Sequence, residues 1–165
     1  MPEPSFNISK TIRQGFKTLL ENDSYISSNF VKNKVTHIYE KPLTTFWLPV
    51  CPAIGVYDFT SRKYNYANTQ FIRNASEDLA IEIADRDADW AVARDNVSKY
   101  IDSVEDIINS YITDIDSDLN GLINNLWIDS VDTLESIDEK TKKWIYLARI
   151  NFRVDYEKGS YPDAS

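Results

Sequence analysis

The sequence has 165 residues, 42% of them apolar and 13% aromatic, with four glycines and six prolines. That composition fits an ordinary folded chain and excludes collagen-like, low-complexity and disulfide-stapled proteins. A net charge of −8 opposes bulk attraction to nucleic acid or anionic membrane, both of which select basic surfaces.

The charge is unevenly placed. Residues 1–74 sum to +4, residues 75–139 to −15 and residues 140–165 to +3, a partition that suits a molecule with opposite faces. The single cysteine, Cys51, has no internal partner. No apolar run approaches the 18 or so residues of a membrane span, and the first residues do not read as a secretory signal. Synthesis in the cytoplasm is therefore expected, and the N-x-S triplets at Asn7, Asn22, Asn74 and Asn96 are not expected to be glycosylated.

Along the chain, Ser5 or Asn7 can cap a first helix whose Ile8, Ile12, Phe16, Leu19 and Leu20 recur mostly at spacings of three and four, ending near Glu21 to Ser24. A short strand is expected at Val35 to Tyr39. The run from Phe46 to Pro52 reads as an extended connector, because its two prolines lack donors a central strand needs. It leads to a buried strand at Ala53 to Phe59. Residues 60–76 mix basic, amide and aromatic side chains and are expected to form a long hairpin or loop arm. Leu79, Ile81 and Ile83 alternate with Ala80, Glu82 and Ala84 as a strand.

A second helix is expected from Trp90, capped by Asp89, with Trp90, Ala93, Val97, Tyr100, Ile101, Val104, Ile107, Ile108 and Tyr111 on one stripe. Its outer face carries Asp95, Lys99, Asp102, Glu105, Asp106 and Asn109. Leu126 to Val131 predicts another strand and Glu135 to Lys143 a turn. Alternation from Trp144 to Tyr156 predicts a last, long strand, and residues 157–165 a polar tail. The order predicts one α+β domain over residues 1–156: a largely antiparallel sheet of about four strands with two main helices on one face.

Several constellations could carry chemistry. Asp116, Asp118, Asn120 and Gly121 match four positions of an EF-hand calcium loop, but the twelfth position is Trp127 instead of glutamate. A turn-rich loop explains the same residues. Asp85, Asp87 and Asp89 could hold magnesium for phosphoryl transfer, yet helix capping accounts for them and no phosphate loop accompanies them. His37, the only histidine, lies in an expected strand, and Cys51 reads as an inert buried thiol. No catalytic residue and no cofactor are assigned. Arg62, Lys63, Tyr64, Tyr66, Phe71 and Arg73 interleave basic and aromatic groups away from any core stripe. Such a patch can clamp single-stranded nucleic acid, but in so acidic a chain it is better read as a protein interface. Asp102, Glu105 and Asp106 are acidic counterparts.

Taken together, the opening helix, the connector Leu48-Pro49-Val50-Cys51-Pro52-Ala53-Ile54-Gly55-Val56-Tyr57, the strand Leu79 to Ala84, the helix Trp90 to Ile112, the segment Asp118-Leu119-Asn120-Gly121-Leu122-Ile123 and the closing strand resemble the tail terminator, or tail completion, proteins of long-tailed bacteriophages. The loop from Thr60 to Ser76 and the polar stretch Asn22 to Lys34 depart from that pattern. The resemblance implies a non-enzymatic virion protein assembled in the host cytoplasm. It implies a ring, usually of six subunits, that caps the tail tube, stops its polymerisation and presents a surface to head-side connector proteins, with DNA passing through but not specifically bound. A different head–tail connector of the same fold, and a calcium-dependent binding module built on Asp116, Asp118 and Asn120, stay open as alternatives. A ring needs one surface to complement a different one on the next copy, and basic ends set against an acidic middle could supply this. The acidic segment could instead line the lumen.

Overall fold

The computed structural model describes residues 8–32, 35–43, 50–66, 72–111 and 123–159. The elements are α1 (Ile8–Asn22), α2 (Ser24–Phe30), β1 (Val31–Lys32), β2 (Val35–Thr36), β3 (Ile38–Tyr39), β4 (Ala53–Tyr66), β5 (Ile72–Asp87), α3 (Trp90–Tyr111), β6 (Ile123–Ile137) and β7 (Trp144–Gly159). The main sheet has the order β3-β4-β5-β7-β6, and β1 pairs with β2 separately. Only β3 runs parallel to its neighbour; the four long strands alternate in direction. The fold is α+β and largely antiparallel, as expected, with a fifth, two-residue strand and a third helix added.

Strand alternation builds the core. Even-numbered residues of β7 from Ala148 to Tyr156 are buried, and they pair with odd-numbered residues of β5, such as Ile81 opposite Ile150 and Leu79 opposite Phe152. Ile54 and Val56 of β4 extend this face. Against it α1 buries Ile8, Ile12, Phe16 and Leu20, and α3 buries Ala93, Val97, Tyr100, Val104 and Ile108. The two helices therefore share one side of the sheet. Asp89 caps α3 by accepting the Ala91 amide at 2.9 Å. The capping residues expected for α1, Ser5 and Asn7, lie outside the described residues, as does most of the connector from Phe46.

The structure refines the element boundaries. The polar stretch after α1, where the sequence predicts no element, opens with a helix: Asp23 accepts the Ile26 amide at 2.9 Å and starts α2, which buries Ile26. Residues 60–66 and 72–76 are strand, paired as far as Tyr66 and Arg73, and β7 flanks β5 to the same level. Of the two expected forms, the long hairpin is the one observed, continuous with the main sheet. β6 runs on to Ile137, past the expected end at Val131, and β7 reaches Gly159, so residues 157–159, expected in the tail, are strand; the rest of the expected tail lies outside the described residues. Trp90 lies on the rim instead of in the core, donating its indole N–H to Glu135 under the Arg94 guanidinium.

The β6–β7 turn is organised by Asp138. Its carboxylate accepts the Thr141 hydroxyl at 2.8 Å, the Lys140 amide at 3.0 Å and Arg86 Nη1 at 3.0 Å. The Thr141 hydrogen bond foremost, then the Lys140 amide and the Arg86 charge, hold the carboxyl below its ordinary range despite burial. A carboxyl lowered by folding stabilises the fold above its unfolded pKa, and this contribution disappears as pH falls through the folded value. As pH falls below about 5, the melting temperature of the wild type is expected to fall more steeply than that of Asp138→Asn. Parallel acid-side melting curves for the two proteins would refute this role.

Candidate functional site

Among the described residues no helix covers the other sheet face, and β5 and β7 furrow it with paired charges. Arg153 Nε lies 3.0 Å from Asp78 with its guanidinium over the Trp127 ring, Arg149 Nε lies 3.4 Å from Glu82, and the Ser76 hydroxyl donates to Asp155 at 2.7 Å. Asn151 donates to Ser130 and Asp132 on β6. A strap at residues 40–43 closes one end of this face. There Leu43 packs with Ala53, Ala84 and Leu147, and its amide donates to Glu82 Oε1 at 2.9 Å. Gly55 permits the approach, since a Cβ there would stand 2.3 Å from the Lys41 carbonyl oxygen. Burial, then the Glu82 carboxylate, pushes the neighbouring Tyr57 hydroxyl up to about 12.

These pairs redistribute the acidic middle of the sequence. Asp78 and Glu82 are matched by arginines of β7, Glu77 by Arg62 at 4.0 Å, and Asp138 by Arg86. Among the described residues, much of the acidic charge left at the surface lies on α3, at exposed Asp95, Asp102 and Asp106 beside half-buried Glu105, and on β6, at exposed Asp129, Asp132 and Glu135. The open face itself is nearly balanced in charge.

Two sheet edges are unpaired among the described residues. β3 covers β4 only at Ile54 and Gly55, leaving the outer edge from Tyr57 to Tyr66 open. On the far side β6 pairs with β7 alone, and its residues from Asp129 to Ile137 are all exposed, including Val131 (37%), Leu134 (58%) and Ile137 (54%). The β6 edge is flanked by two hollows. On the helix side a groove of about 260 Å³ is lined by Arg94, Asp95, Ser98, Ile101, Thr133 and Tyr146. A second hollow of about 160 Å³ is lined by Asp132, Thr133, Leu134, Leu147 and Arg149.

The interface candidates read from the sequence separate accordingly. Lys63 and Tyr64 are exposed on β4. Arg62 turns inward, donating to Ser9 at 3.2 Å and to Tyr64 at 3.4 Å, over the ring of Tyr156. Tyr66 and Arg73 pair through their backbones, whereas Phe71 lies outside the described residues. So do Asp116, Asp118 and Asn120. The three aspartates near α3 diverge: Asp85 accepts the Arg86 amide and the Asn96 side chain, Asp87 the Asp89 amide, and Asp89 caps the helix. Among the described residues no three His, Cys, Asp or Glu side chains are grouped to hold a metal, and no helix is long and apolar enough to cross a membrane. His37 is buried with Nδ1 3.3 Å from the Tyr39 hydroxyl, and Cys51 is half-buried instead of fully enclosed.

No protein-family model and no curated protein sequence matches this chain. Its fold is similar to that of a chain in a solved structure described as the virion of a native gene transfer agent particle. That match has a TM-score of 0.61 and 15% identity, and covers 93% of this chain and all of the other. At this identity the likeness is one of fold.

Proposed function

We propose that this protein is a non-enzymatic structural component of a phage-like virion, assembling as a ring at the tail neck. There it ends the tail tube and offers a docking surface to head-side proteins. The observation that carries this reading is the end-to-end fold likeness to a chain of a gene transfer agent virion. The terminator role within that class follows from the sequence resemblance. Two dissimilar open edges on one sheet suit the heterologous contacts of a ring.

Native mass spectrometry and electron microscopy of tubes polymerised with and without the protein test the proposal. Rings near 115 kDa, about six chains of 19.1 kDa, and tubes capped at one end are the expected result. A protein that stays monomeric at high concentration and leaves tube length unchanged would overturn it.

A further inference from the structure

We propose that copies of this protein join by continuing the main sheet, the outer edge of β6 on one copy pairing with the outer edge of β4 on the next, with Asp132 meeting Lys63. The inference rests on the ring reading and specifies the joint that such a ring uses.

The first support is the state of the β6 edge. A long strand with unpaired amides and carbonyls templates further pairing unless lysine, proline or a bulge blunts it. β6 contains no Lys, Arg or Pro. Its bulges fall at Ile123/Asn125 and Ile128/Ser130, leaving Val131 to Ile137 regular.

The second is complementarity. Asp129, Asp132 and Glu135 make the β6 edge acidic, and no basic residue lies within the strand. The β4 edge offers Lys63, which makes no ion pair among the described residues, together with the exposed rings of Phe59 (44%) and Tyr64 (42%). Its acid, Asp58, is already bound by Arg13 at 2.6 Å. Faces match as well as charge. Lys63 shares the open face with its partner Ser76, and Asp132 shares it with Arg149; Tyr64 and Val131 share the helix face with Ala75 and Ile150. Lys63 opposite Asp132 puts Tyr64 beside Val131 on the helix face.

The third is topology. The four long strands alternate in direction, so β4 and β6 run oppositely. A second copy in the same orientation therefore presents β4 antiparallel to β6, and the alternation continues without a break. Within one copy Lys63 lies level with Ser76, Asp155 and Asn125, whereas Asp132 lies level with Arg149. Bringing Lys63 beside Asp132 staggers adjacent copies by about six residues, ~20 Å, over a four-strand width of ~19 Å. That corresponds to strands tilted roughly 45° from the ring axis, close to the tilt of closed barrels. β3 does not obstruct the joint, because it covers only the opposite end of β4.

Charge exchange tests the joint. Lys63→Glu and Asp132→Lys are each expected to weaken assembly at least tenfold by sedimentation, and the double variant to recover to within about threefold of wild type. Melting curves of the variants at dilutions where each is monomeric establish that they fold. In the wild type, exchange of the amides from Val131 to Ile137 is expected to slow at least tenfold on assembly. Rings that survive both single reversals, single variants that the exchange fails to rescue, or unchanged amide exchange would each overturn the joint while leaving the ring itself standing. A wild type that forms no ring, alone or on tube ends, ends both readings.

Discussion

Phe16→Ala is expected to lower the unfolding free energy by about 4 kcal/mol, within the 3–5 kcal/mol found when a buried phenylalanine is truncated. Phe16 is buried at the centre of the α1 face and meets Phe152 of β7 edge-to-face, with ring centroids 4.9 Å apart and planes at 70°. The same side chain holds α1 against the sheet. Gly15 in the helix interior and the β-branched Ile8, Thr11, Ile12 and Thr18 lower its intrinsic propensity, so its stability comes from packing. The loss should appear as a drop of ~10 °C in melting temperature for a domain of this size, read at a concentration where assembly does not contribute. Phe16→Leu should retain most of the stability, and a cycle with Phe152→Leu should give a coupling of about 1 kcal/mol. A loss below about 1.5 kcal/mol in Phe16→Ala would mean that α1 is not anchored through this contact.

The α1 pattern was readable because one face is buried and the other is not. Ile8, Ile12, Phe16 and Leu20 fall at a strict spacing of four, and each is buried. The same logic made β7 readable, since burial on the helix side imposes a period of two on Ala148, Ile150, Phe152, Val154 and Tyr156. β6 breaks that logic. Its apolar residues Ile128, Val131, Leu134 and Ile137 recur every third position, which resembles neither a half-buried strand nor an amphipathic helix. The structure supplies the reason: a bulge near Ser130 shifts the pattern, and beyond it both faces are exposed, so no burial enforces alternation. The length of β7 held the missing signal, because a 16-residue strand that begins at a tight turn calls for a neighbour of similar length before it.

The candidate site was legible as composition more than as geometry. Of the interleaved basic and aromatic residues near position 63, Lys63 and Tyr64 lie exposed on an open edge. Nothing in the sequence separates Lys63, which faces outward, from its neighbour Arg62, which is drawn inward by Ser9, Tyr64 and Glu77. That distinction depends on the bulge between Asp58 and Arg62 and on a carboxylate 15 positions away. The −15 segment was likewise legible as charge and not as surface. Ion pairs to arginines of β4, β5 and β7 consume part of it, and α3 and β6 carry much of what remains exposed.

Glu82→Ala is expected to cost about 3 kcal/mol and to release the strap from the open face. Glu82 is fully buried on the sheet side that no helix covers, enclosed by Leu43 and the residues around it. Its carboxylate receives the Leu43 amide on one oxygen and Arg149 on the other. Removal leaves a buried amide without its acceptor, which costs ~1–3 kcal/mol, and Arg149 without its counter-ion. The full 3–5 kcal/mol of a broken buried pair is not expected, because Arg149 is 39% exposed and water can solvate it. Glu82→Gln keeps an acceptor for Leu43 and is expected to cost roughly half as much. The two variants separate a charge effect from a strap effect. If anchoring the strap is the main role, the Leu43 amide exchanges much faster in Glu82→Ala than in Glu82→Gln, while the amides of α3 exchange alike in both. Equal protection of Leu43 in wild type and Glu82→Ala would show that apolar packing on Ala53, Ala84 and Leu147 holds the strap without the carboxylate.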